Sequence, residues 1–108
     1  MGKGLSEQQR IILEEANAFE GKAFKSFVEA LKVRLFPSLW YMEPAMKVFD
    51  DGRVLIGPSH LKRSVLSAKE RKAARASISR SIRRLKERGL IAVDKGMLTP
   101  VPRNNVNR

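Results

Sequence analysis

Ile12, Ala16 and Phe19 recur at helical spacing behind Ser6-Glu7-Gln8-Gln9. That tetrad reads as a capping box, with the Ser6 hydroxyl and the Gln9 amide satisfying early backbone N–H groups, so a helix is expected to about Phe19. Gly21 breaks it. Phe24, Phe27, Val28, Leu31 and Leu35 mark one face of a second helix from about Lys22 to Leu35. Pro37 stops it, because proline cannot continue the backbone ladder. Ser38-Leu39-Trp40-Tyr41-Met42 is apolar and expected to be buried. Lys47-Val48-Phe49 and Arg53-Val54-Leu55-Ile56 then flank Asp50-Asp51-Gly52. The favoured reading is a hairpin with Gly52 supplying positive φ; the alternative is a short helix from Pro44 that ends at Gly52. Gly57-Pro58-Ser59 marks the boundary into the second half.

Beyond Ser59 a short helix is expected over His60–Leu66. Ser67-Ala68-Lys69-Glu70 reads as a second capping box opening a helical region to Arg88, with Ala74, Ile78, Ile82 and Leu85 as its buried stripe. The region lacks glycine and proline, so it is either one helix of about 33 Å at 1.5 Å per residue or a helix-turn-helix pair. If it is one helix, His60–Leu66 is the supporting helix. Gly89 takes the position after the helix end, where a left-handed residue terminates it. Leu90-Ile91-Ala92-Val93, the turn Asp94-Lys95-Gly96 and Met97-Leu98-Thr99 read as a small hairpin, closed by Pro100 and Pro102. The tail from Arg103 to Arg108 is expected to be flexible.

Charge changes this picture more than composition does. The 108 residues carry a formal net charge of +11. Residues 1–52 hold 7 Lys/Arg against 8 Asp/Glu, and residues 53–108 hold 15 against 3, so the whole excess lies in one half. Solubility requires no such segregation, and an excess confined to one half points to a polyanionic partner. Between Lys62 and Arg88 there are 11 Lys/Arg and only Glu70 and Glu87 as acids, too few for intrahelical pairing. The chain has no cysteine and one histidine, His60, which excludes disulfides and thiolate or multi-histidine metal sites. Asp50-Asp51 has no further ligand spaced nearby and reads as a turn. With no nucleophile–base pair, phosphate loop or metal cluster, neither catalysis nor a cofactor is expected. No apolar run matches a signal peptide or a membrane span, so a cytoplasmic, nucleoid-associated location is expected.

Ser77-Ile78-Ser79-Arg80-Ser81-Ile82-Arg83-Arg84-Leu85-Lys86-Glu87-Arg88-Gly89-Leu90-Ile91 resembles the recognition helix and exit strand of winged helix-turn-helix transcription regulators, MarR-like ones included. Asp94-Lys95-Gly96-Met97-Leu98-Thr99 resembles their wing, and the resemblance spans Ser59 to Val101. It implies a mainly α fold with a small β-hairpin wing. In that reading residues 1–102 form a single winged-helix domain, with helices over 6–36 as core or dimer surface, a DNA-binding unit over 59–101 and a tail over 103–108. It also implies a homodimer on double-stranded DNA, with two half-sites about one helical turn apart.

The expected contacts follow from the helix wheel. With Ile78 at zero, Arg80 and Arg83 lie near 200° and 140°, opposite the buried stripe, where arginine can pair with guanine edges. Ser79 and Arg84 flank that face. Ser77 and Ser79 suit phosphates or close approach, and Lys69, Arg71, Lys72 and Arg75 extend the contact along the backbone. Lys95 at the wing tip and Arg103 beyond it complete the set. Two other classes compete. An RNA- or ribosome-associated module would place aromatics among its basic residues, yet all seven aromatics lie at or before Phe49. A protein adaptor or membrane-surface helix would need bulkier apolar anchors than Ala, Ile and Leu.

Overall fold

The computed structural model describes residues 4–65 and 67–101. Three helices, a long β-ribbon and a short hairpin follow one another along the chain. The first helix, α1 (Glu7–Ala18), begins at Ser6 with both halves of the capping box formed, at 3.1 Å each. Gly21, at φ +79°, turns the chain into α2 (Phe24–Leu35). Two long strands, β1 (Trp40–Val48) and β2 (Val54–Arg63), pair antiparallel as a ribbon of their own. The third helix, α3 (Ala68–Glu87), is a single unbroken helix of 20 residues. It ends in a Schellman arrangement: Leu90 N–H donates to the Leu85 carbonyl, Gly89 N–H donates to Lys86, and Gly89 sits at φ +75°. The short strands β3 (Ala92–Asp94) and β4 (Met97–Thr99) close the described chain.

The core is built from the stripes that the periodicity marks. Ile12 and Ala16 of α1, Phe27 and Leu31 of α2, and Ile78, Ile82 and Leu85 of α3 meet Ile91 and Leu98 in one buried cluster. A second cluster of Leu39, Trp40 and Ala74, with Val33, Phe36 and Leu61 against it, docks the root of the ribbon on α2 and α3. Arg34 ties α2 to α1 through Glu14 (2.6 Å) and Glu15 (2.7 Å). The segment between α1 and α2 acts as a third strand beside β4. Gly21 N–H donates to Leu98, Leu98 N–H donates to Lys22, Phe24 N–H donates to Gly96, and Ala23 bridges Met97. This pins the small hairpin to the start of α2.

Five sequence expectations are corrected in whole or in part. The chain is mixed α/β rather than mainly α, because the expected hairpin around Asp50-Asp51-Gly52 extends into strands of nine and ten residues. The supporting helix over His60–Leu66 does not form: residues 60–63 belong to β2, and Leu66 lies outside the described residues. Gly57-Pro58-Ser59 accordingly lies inside β2, at an irregularity of the ladder opposite Ala45, and not at a boundary between units. Ser67 makes no side-chain capping bond; it stands in the left-handed region at φ 71°, and only its carbonyl engages the helix, accepting from Arg71 N–H. Of the expected buried run 38–42, Leu39 and Trp40 are buried, while Tyr41 and Met42 are exposed along the ribbon. Pro102 and the tail from Arg103 lie outside the described residues.

Candidate nucleic-acid interface

The outer face of α3 is what its burial leaves over. Arg71, Ala74, Ile78, Ile82 and Leu85 are turned into the body. At 100° per residue, Lys69, Lys72, Arg80, Arg83 and Arg84 fall between about 120° and 240° from Ile78, spread over about 22 Å of axis. All five are exposed. The ion pairs among the described residues are Arg34 with Glu14, Arg34 with Glu15, and Arg53 with Asp51, so none of these five cations is neutralised within the fold. An exposed row of like charges on a rigid rod repels itself and attracts polyanions.

The row continues around the flank of α3 into a groove against α2, with a volume of about 420 Å³. Phe24, Val28, Ile78 and Ile82 form its apolar floor; Lys32, Arg75, Arg83 and Lys86 form its rim; Ser79 lies between them, and no acid lines it. Burial holds the Lys32 ammonium below its ordinary pKa, the Arg75 charge pushes it further the same way, and Glu29 opposes only in part. The Lys32 ammonium also lies over the Trp40 ring, 5.3 Å from its centroid. An anion in the groove would relieve this crowding of cations.

Most of the sequence-predicted set comes together, and part of it does not. Lys69, Lys72, Arg75, Ser79, Arg80, Arg83 and Arg84 share the outer face and its flank. Ser77 is turned inward, where its hydroxyl and that of Ser81 accept from the Gln8 amide of α1 at 3.2 and 2.9 Å. Arg71 is buried and donates to the Ser64 carbonyl at the exit of the ribbon, so it fastens α3 to β2 and does not extend the basic face. Lys95 is exposed at the tip of the small hairpin, at φ 53° beside Gly96 at φ +76°, the two left-handed residues of a type I′ turn. Arg103 lies outside the described residues.

Sequence reasoning missed Lys32 and Lys86. For Lys86 the signal was its wheel position, about 20° from Ser79. For Lys32 it was a charge one turn beyond Phe24 and Val28 on the stripe of α2. A near-neutral sum over the first half hid it. Of the two roles expected for the helices over 6–36, core or dimer surface, Ile12, Ala16, Phe27 and Leu31 serve the core, where all four are buried. No helix among the described residues is long and apolar enough to cross a membrane. Compared with protein-family models, curated proteins and solved structures, the chain matches none.

Proposed function

We propose that the protein binds double-stranded DNA as a winged-helix transcriptional regulator, acting as a homodimer. The observation that carries this reading is the unneutralised row Lys69, Lys72, Arg80, Arg83 and Arg84 on the outer face of one straight helix. The order of elements supports it as well: helix, bridging strand at Ala23, helix, basic helix, two-stranded hairpin. The β1–β2 ribbon then occupies the place of the turn between the second helix and the basic one.

In this reading α3 lies in the major groove, about 12 Å wide, with Arg80 and Arg83 at base edges. Lys69, Lys72, Arg75 and Arg84 meet phosphates, and the Lys32–Lys86 groove takes the backbone beside them. Lys95 reaches the backbone or minor groove from the small hairpin. Two copies related by a two-fold axis address a palindromic site.

Selection from a random duplex pool, titrated against salt and against duplex and single-stranded RNA, tests the proposal. Recovery of a palindrome whose half-sites lie near one helical turn apart is the expected result. Arg83→Ala should lower affinity for that site by about 1–3 kcal/mol and relax one position of it. Preference for RNA over duplex DNA, or no binding at modest salt, overturns the reading.

A further inference from the structure

The β1–β2 ribbon is anchored at one end only. Its root packs on the body through Trp40, which is 3% exposed, and Leu61. Antiparallel partners point to the same side of a ribbon, and successive residues alternate. Trp40, Met42, Pro44, Met46 and Val48 therefore share one face of β1, with Arg63, Leu61, Ser59, Ile56 and Val54 opposite them on β2. The irregularity between Pro44 and Met46 places the extra residue on β2, leaving the alternation of β1 intact. The result is an apolar stripe broken on β2 by Arg63 at the root and by Ser59, and unbroken from Met46 and Ile56 to Val48 and Val54. At the root, Trp40 and Leu61 are covered by the body, while Met42 is already 42% exposed. Beyond Pro44 the stripe is bare: Met46 is 60% exposed, Val48 66%, Val54 49% and Ile56 65%. The opposite face carries Tyr41 with Lys62, Glu43 with His60, and Lys47 with Leu55.

We propose that this distal apolar face is the surface on which a second copy of the chain docks, ribbon against ribbon across a two-fold axis. The proposal rests on the homodimer reading above and names its surface.

Three observations select the occupant. A two-stranded ribbon with no further strand is marginal in water, and the covering that the body supplies at the root is missing at the tip. From Glu43 to Ile56 the acids Glu43, Asp50 and Asp51 outnumber Lys47 and Arg53, so a polyanion has no attraction to this end. For the same reason two chains of net charge +11 can approach each other there without opposing their basic helices. Finally, an apolar stripe is self-complementary under a two-fold axis. With the two ribbons antiparallel, the Asp50-Asp51 tip of each points toward Arg63 at the root of the other.

The test is the molecular mass in solution, read by sedimentation velocity on nuclease-treated protein. The expected result is twice the 12.2 kDa chain mass for the wild type, the single-chain mass for Ile56→Glu, and the doubled mass for Leu55→Glu. Leu55 is the matched control, since it is 59% exposed and on the opposite face. A variant with residues 46–56 replaced by a two-residue glycine turn should have the single-chain mass with the helical circular dichroism unchanged, which covers misfolding of Ile56→Glu. A doubled mass persisting in both Ile56→Glu and the shortened ribbon overturns the proposed surface and leaves the homodimer standing. Loss of the doubled mass in Leu55→Glu overturns the assignment of the face. A single-chain wild type overturns the surface and the homodimer together and leaves duplex binding to its own assay.

Discussion

Arg71 and Lys72 are sequence neighbours with opposite fates, and separating them tests the orientation of α3. Lys72 is exposed on the basic face, whereas Arg71 is 6% exposed and donates to the Ser64 carbonyl, clamping the ribbon exit to the helix. A hydrogen bond from a charged donor contributes about 1.5–3 kcal/mol. Loss of the packed aliphatic stem adds to it, so Arg71→Ala should cost about 3 kcal/mol. For a domain of this size each kcal/mol moves the melting temperature by about 4 °C or somewhat more, which gives a fall of about 10–15 °C. Arg71→Lys should recover only part of that, since an ammonium lacks the planar fork of donors. Lys72→Ala should leave stability within about 0.5 kcal/mol. Its effect belongs in the salt dependence of duplex binding, where removing one phosphate contact flattens the log–log slope by about 0.9. Thermal melts and salt titrations of the three variants suffice. If Arg71→Ala melted like the wild type and flattened the salt slope while Lys72→Ala did neither, α3 would be rotated from its described position and the assigned face would be wrong.

The two serines that precede helices should behave differently in urea titrations. Ser6→Ala removes a formed capping bond and should cost about 1 kcal/mol, whereas Ser67→Ala should change stability by less than about 0.5 kcal/mol because its side chain caps nothing. Gly89→Ala should cost about 1–2 kcal/mol from backbone strain alone, since a Cβ there would meet nothing within 4 Å. Gln8→Ala, measured the same way, should cost about 1 kcal/mol by releasing the Ser77 and Ser81 hydroxyls of α3 from α1. In duplex binding, Lys32→Ala should weaken all sequences alike and flatten the salt slope by about one contact, although it stands on α2.

What the sequence determined by itself was local in cause. Hydrophobic spacing placed α1, α2 and the buried stripe of α3, because a 3.6-residue period has one interpretation over three or more turns. The Ser6 box, Gly21, Gly89 and the Asp94-Lys95-Gly96 turn were legible because each depends on a few neighbouring backbone groups. The outer cations of α3 were legible for the same reason: the residues opposite a buried stripe are exposed.

Tertiary structure decided the rest. Residues 57–63 carry a glycine and a proline and lack strict alternation, yet they form strand because β1 supplies the partner hydrogen bonds and Leu61 the contact with the body. Arg71 carries the same charge as the phosphate-binding candidates around it, and only the nearness of the Ser64 carbonyl makes it an internal clamp. Ser77 could not be told from Ser79 without knowing that Gln8 lies against it. Lys32 joins the basic groove because α2 packs beside α3, a juxtaposition of residues more than 40 positions apart that no local pattern encodes. A period specifies which face of an element is buried; which partner covers that face, and which charges then meet across the seam, depends on how the elements dock.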